Sequence, residues 1–327
     1  MSSTRREVIA GLGGGIVTLI APPALAQTAY PSRNIRMIVP YPAGGTTDYL
    51  GRLVADQIKG GLKATVIVEN KPGAATALGA EQVARAEPDG YTLLMATSTT
   101  LAINKTLYKN LPYDPVKDFA PIGLVAAVPF ALIVNPQVPA TTLSEFIAYA
   151  KATPGLAFGS AGNGSPQHLG AAMLKSAAHL DIRHVPYRGS VPAMLDVIAG
   201  HIPFMVVDLQ PALPQMRDGK VRVLGVTTLK RVAAAPEIPT LAESGLPGFE
   251  LVAWQGVVAP AGTPRAIIDA LASQIKILLA DPATLDRFAT IALEPLAGST
   301  PDSFAAYIKT EVDRWAAIIK DSGAEAE

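Results

Sequence analysis

The chain has 327 residues, 49% of them hydrophobic and 17% charged, with 27 basic and 27 acidic side chains in balance. That is the composition of a globular protein, and the length allows two cores, since single cores rarely grow past about 250–300 residues. No lysine/arginine cluster suggests a nucleic-acid partner, and the lack of cysteine excludes disulfides, thiolate chemistry and cysteine-ligated metal.

The chain begins MSSTRREVIAGLGGGIVTLIAPPALA, residues 1–26. Paired Arg5 and Arg6, a glycine-broken apolar run and Ala24-Leu25-Ala26 predict a signal peptide cleaved after Ala26. TRREVI also fits a twin-arginine export signal, with an ordinary secretory signal as the alternative. No later stretch is apolar for the about 20 residues that a membrane helix needs.

Strand-like runs then alternate with helical patterns. IRMIVP (35–40) reads as a strand and leads into YPAGGTTDYLGRLVADQIKG, a glycine turn and a helix that Thr46 or Thr47 can cap. Leu50, Leu53, Val54 and Ile58 share one face of that helix. TVIVEN (65–70), YTLLMATS (91–98), FALIVN (130–135), LAFGS (156–160), DIRHVPY, IPFMVVD (202–208) and VRVLGVTT (221–228) read as further strands. Helical segments between them predict an α/β fold of parallel or mixed sheets flanked by helices. FELVAWQGVVAP (249–260) reads as a long strand, and two amphipathic helices close the chain, through Ile267–Leu278 and Phe304–Ile319. No linker separates two halves, so strands should cross between two lobes, with FALIVN leaving the first and VAWQGVVAP returning to it.

Four glycine- or hydroxyl-rich turns follow predicted strands: YPAGGTTD (41–48), ATSTT (96–100), GSAGNGSPQH (159–168) and PYRGSVP (186–192). Ligands of open α/β sheets bind at the carboxyl ends of strands, where helix N-termini favour anions. Gly44, Gly45, Gly162 and Gly164 let the backbone approach a ligand, and Thr46, Thr47, Ser98, Ser160, Asn163 and Ser165 add donors. Tight turns and helix caps use the same residue types. GSAGNGSPQH is not a P-loop, because no Gly-Lys-Ser/Thr follows, nor G-x-G-x-x-G, because Gln167 stands where the last glycine would be. No G-x-S-x-G occurs, and the S-x-x-K match at Ser273–Lys276 lies inside a regular helical pattern without its partner motifs. His168, His179, His184 and His201 lack zinc-site spacing, so neither metal nor cofactor is expected. His168, in the first turn after a ligand-type loop, reads equally as a ligand contact or as packing.

These stretches carry a family resemblance. IVPYPAGGTTDYLGRLVADQI, IVENKPGAATALGAE, PDGYTLLMATSTTLAIN, FGSAGNGSPQHLGAAML, HVPYRGSVPAMLDVIAGHI, AAPEIPTLAESGLPGFE and WQGVVAPAGTPRAII, in this order, resemble the Bug/TctC-like receptors of tripartite tricarboxylate transport systems. The resemblance implies a two-lobed, type II-like periplasmic binding protein that closes on a small carboxylate and performs no chemistry. The lobes would be 27–129 with 255–327, and 130–254, hinged near 128–132 and 252–257. Carried over to this chain, one ligand loop is Tyr41, Pro42, Ala43, Gly44, Gly45, Thr46 and Thr47, and the other is Ser160, Ala161, Gly162, Asn163, Gly164 and Ser165. Asp208 matches a polar, cleft-facing position of the second lobe, and Arg188 could approach the ligand. Tyr41 and Thr46 stand where phenylalanine and glycine are frequent. The expected partners are an aliphatic or aromatic carboxylate and the permease subunits, with the receptor a monomer. A periplasmic sensor that presents its closed form to a signalling protein is the alternative, and a hydrolase or isomerase using His168 with Asp208 is the enzymatic rival.

Overall fold

A computed structural model describes residues 30–322, and the segment read as a signal peptide lies outside the described residues. The predicted rhythm is realised as β1 (Ile35–Val39), α1 (Thr46–Leu62), β2 (Val66–Asn70), α2 (Ala77–Ala84) and β3 (Thr92–Thr97). A π-helical turn at Thr99–Ile103 and α3 (Asn104–Leu107) follow. β1 pairs in parallel with both β2 and β3. Leu50, Val54 and Ile58 of α1 are buried at the four-residue spacing that lines up one helical face. Neither threonine caps this helix. Extended Gly45 takes the cap position without a side-chain bond, and Thr46 and Thr47 fall inside the first turn.

The two lobes are joined by β4 (Phe119–Val134), a 16-residue strand. At about 3.3 Å per residue it runs roughly 50 Å. Phe119–Pro129 pair antiparallel with β9 (Val252–Pro260), whereas Phe130–Val134 pair with β7 (Phe204–Asp208), and Ala131–Val134 also with β8 (Arg222–Val226). The change of partner falls where Pro129 offers no N–H to a ladder. FALIVN is thus the second part of a longer strand. β9 stays within the first sheet throughout, so Val252, Ala253 and Trp254 pair opposite Pro129, Val128 and Ala127.

The second lobe adds α4 (Leu143–Ala152), β5 (Leu156–Ser160), α5 (Pro166–Ala178), β6 (Ile182–Pro186), α6 (Ser190–Ala199) and α7 (Leu209–Arg217). The full strand order is β2-β1-β3-β9-β4-β7-β5-β6, with β8 and the short β10 (Glu294–Pro295) pairing β4 off this path. Side chains alternate across the second sheet. Phe130, Leu132 and Val134 join one core, and Ala131 and Ile133 join another on the opposite face.

The chain ends in α8 (Arg265–Leu278), α9 (Pro282–Thr290) and α10 (Pro301–Ser322). α10 buries Phe304, Ile308, Trp315 and Ile319 along one stripe. It packs on β4 and also on α5, so it touches elements of both lobes. Gly256 of β9 makes this packing possible, since a Cβ there would lie 2.6 Å from the Phe304 ring. Among the described residues no helix is long and apolar enough to cross a membrane.

Candidate functional site

In both lobes the chain leaves a strand, turns, and enters a helix, which sets helix N-termini at the carboxyl ends of β1, β5, β6 and β7. Residues from four such ends line one small cavity: Thr46 and Thr47 of α1, Pro166 and Gln167 of α5, Ser190 and Val191 of α6, and Asp208 before α7. Thr97, Ser98 and Thr99 after β3, Val128 and Phe130 of β4, and Ala253, Trp254 and Gln255 of β9 complete most of the wall. Each unpaired helix end carries partial positive charge, so the cavity favours an anion without lysine or arginine in its lining.

One anion is already there. Asp208 accepts hydrogen bonds from Thr46 Oγ at 2.9 Å and from Gln167 Nε2 at 2.7 Å, and the first of these crosses between lobes. Burial pushes its carboxyl up to about 6, although the two bonds favour the charged form. Burial likewise pushes the Tyr41 hydroxyl up to about 12. Three buried polar atoms in this wall have no partner: Ser98 Oγ, Gln167 Oε1 and Gln255 Oε1. Trp254 is pinned from behind, its Nε1 donating to Glu311 of α10 at 2.6 Å.

A second cavity adjoins the first and shares Tyr41, Pro42, Thr99 and Gly189 with it. Its other walls are the 72–76 loop and Ala161, Gly162, Asn163, Ser165, Tyr187 and Arg188. Ala74, Ala75 and Thr76 all have positive φ (45°, 45° and 75°), a costly conformation for three successive non-glycine residues. Asn104 Nδ2 holds that loop by donating to the Ala75 carbonyl at 2.7 Å. Glycines permit close approach of the lobes. A Cβ on Gly189 (φ 120°) would lie 2.9 Å from Pro42, and one on Gly164 (φ 71°) would lie 2.5 Å from Leu107.

The predicted site residues therefore separate. Tyr41, Pro42, Gly45, Thr46, Thr47, Ser98 and Asp208 line the first cavity, and Ala161, Gly162, Asn163, Ser165 and Arg188 line the second. Ala43 and Gly44 are exposed outside both, and Gly44 N donates to Asp48 Oδ2 at 3.1 Å. Ser160, Gly164 and His168 stand behind the wall. Ser160 Oγ bonds His184 Nε2 at 2.6 Å and accepts from Gly162 N at 3.0 Å. Ser165 Oγ accepts from His168 N and caps α5, while Gly164 N donates to His168 Nδ1 at 3.2 Å. The His168 ring stacks on His184 with centroids 4.0 Å apart. His168 lies outside the lining of both cavities.

Burial, then neighbouring His168, lowers the His184 imidazole to about 3, so it is neutral and a poor base beside Ser160. The Asp208 carboxylate is bonded by Thr46 and Gln167. Thr97, Thr99, Gln167 and Ser190 line the first cavity from turns that the sequence singled out without naming them as contacts, whereas Gln255 and the 72–76 loop lie outside those turns. A signal existed for one of them: Gln255 is the lone polar side chain in VAWQGVVAP.

Known proteins share this architecture. The fold matches Rpa4515 of R. palustris, described with adipate, at TM-score 0.89 and 32% identity over 91% of this chain and all of that one. It matches MatC of Rhodopseudomonas palustris, described with bound malate, at TM-score 0.84 and 31% identity over 89% of this chain and all of that one. Protein BugT of Bordetella pertussis is 35% identical over 99% of each chain. The profile of the tripartite tricarboxylate transporter family receptor, TctC, matches residues 50–324. A cleft walled by helix N-termini suits such a receptor, and the chain belongs to this TctC/Bug family of periplasmic solute-binding receptors.

Proposed function

We propose that this receptor captures one small carboxylate between its lobes and delivers it to the permease of a tripartite tricarboxylate-type transporter. The observation that carries this reading is the convergence of helix N-termini from both lobes on two adjoining cavities. The adipate and malate of the two R. palustris relatives support the ligand class. The carboxylate would lie between the Tyr41–Thr47 turn and the Ala161–Ser165 turn, with backbone N–H groups as its main donors.

We assign the lobes as 27–129 with 252–327, and 130–251: the partner exchange at Pro129/Phe130 supports a hinge there, and the pairing of Val252–Trp254 with Ala127–Pro129 moves the return boundary from 254/255 to 251/252. Export follows from the 1–26 segment, by the twin-arginine or the general secretory route, with cleavage after Ala26. The mature receptor acts as a monomer.

A thermal-shift screen of aliphatic and aromatic carboxylates tests the ligand class. A ligand at 100 times its dissociation constant stabilises the folded state by about 2.7 kcal/mol. A shift with at least one carboxylate is expected, and no shift across the panel overturns the reading.

A further inference from the structure

Two adjoining cavities differ in the sign of their single charged side chain. Asp208 is the charged residue lining the first, and Arg188 is the charged residue lining the second. Arg188 is exposed and faces a cavity otherwise walled by loops.

Within the first cavity the resident carboxylate of Asp208 already uses the donors of α1 and α5, through Thr46 Oγ and Gln167 Nε2. That bond also fixes the Gln167 amide. Its nitrogen must face the carboxylate, so Oε1 is left as an acceptor, buried and without a donor. Gln255 Oε1 is a second buried acceptor without a donor, and Ser98 Oγ is unpartnered too. Gln167 and Gln255 are only 6% and 5% exposed, so water does not reach these groups freely. A ligand carboxylate placed here would set a second negative charge beside the buried Asp208 carboxylate, and it would leave the acceptors Gln167 Oε1 and Gln255 Oε1 without a donor. A ligand N–H or O–H supplies what is missing.

We propose that the first cavity selects a ligand end that donates hydrogen bonds, as the hydroxyl of a hydroxy acid or the ammonium of an amino acid does. The ligand's carboxylate then lies in the second cavity toward Arg188, and Asp208 and Gln255 determine specificity. This rests on the carboxylate-receptor reading above. It narrows the substrate class to carboxylates that carry their own donor, and it disfavours plain dicarboxylates of equal length.

The test is calorimetric titration of the wild-type mature chain at pH 7.5 with matched acids: succinate against malate and aspartate, and terephthalate against 4-hydroxybenzoate. The donor-bearing member of a pair is expected to bind about ten-fold more tightly or better, and aspartate against malate separates ammonium from hydroxyl. Asp208→Asn and Gln255→Leu, each checked for a single cooperative melt, are expected to shrink that preference to within about three-fold. Equal or tighter binding of succinate or terephthalate by the wild-type chain overturns the inference and leaves the carboxylate reading intact. So does a preference that persists in both variants. Failure of every acid to bind overturns the carboxylate reading itself, and the inference with it.

Discussion

Thr46, in the first turn of α1, donates its hydroxyl across the cleft to Asp208, at the end of β7, over 2.9 Å. The two residues are 162 positions apart in sequence and belong to different lobes. This bond ties lobe closure to the charge at the cavity floor, and the predictions below follow from it and from the contacts around it.

Thr46→Val keeps the shape of the side chain and removes the cross-cleft donor. Asp208 then retains only Gln167 as a side-chain donor, a loss of about 1–3 kcal/mol for a buried charged acceptor. If closure depends on this bond, ligand affinity falls by about ten-fold or more in a titration. An unchanged dissociation constant contradicts the role given to the pair.

The carboxyl of Asp208 is raised by burial from 3.8 to about 6, so the folded state holds this proton more tightly than the unfolded state. The resulting cost to stability is absent below 3.8, develops between that value and about 6, and is complete above it. At about 1.4 kcal/mol per pH unit it reaches roughly 3 kcal/mol. Tyr41, the titratable group that faces Asp208, stays neutral through this range. Asp208→Asn should therefore gain stability relative to wild type as pH rises from 4.5 to 7.5. Urea melts at several pH values check this, and a difference independent of pH contradicts it.

Gly189 starts α6 at φ 120°, with Pro42 of the opposite lobe in the path of any Cβ. Gly189→Ala adds backbone strain of about 1–3 kcal/mol and pushes the lobes apart. Ligand affinity is expected to drop more than the melting temperature does. Scattering in solution with saturating ligand should then give a larger radius of gyration than wild type, and identical radii would count against a closed cleft at this contact.

Glu311 on α10 is 3% exposed and accepts from two indoles, Trp254 Nε1 at 2.6 Å and Trp315 Nε1 at 3.0 Å. Because Trp254 lines the first cavity, this carboxylate fastens the C-terminal helix to the cleft wall. Glu311→Leu strands two buried N–H groups at about 1–3 kcal/mol each, and Glu311→Gln should recover part of the loss. Chemical denaturation of the two variants decides this, and equal stability of the leucine variant and wild type refutes it.

The strand–helix alternation was legible because the apolar runs and glycine turns have the right period and length. The extent of β4 was not. Pro121 and Pro129 interrupt FAPIGLVAAVPFALIV, and proline normally argues against a strand. Here Pro121 sits beside a register shift, and Pro129 sits where the strand changes partners. α9 escaped notice because it has only 9 residues, although Asp281 caps it and Pro282 opens it, a usable start signal.

The ligand loops were legible from their glycines and hydroxyls, but the direction of each side chain was not. Ser160 looked like a donor to ligand, yet its hydroxyl is engaged by His184, which arrives from the neighbouring strand β6. Gln167 was noted only as the residue that spoils a nucleotide motif. Its place against Asp208 depends on β7 lying beside β5, a tertiary fact that the local pattern does not contain.

The most direct test of the central claim is a titration of the mature chain with a tightly shifting carboxylate and, in parallel, with its primary amide. The account predicts saturable one-site binding of the acid and at least about a hundred-fold loss with the amide, since helix N-termini and backbone donors are matched to the anion. Equal binding of acid and amide, or no saturable binding of any carboxylate, would contradict it.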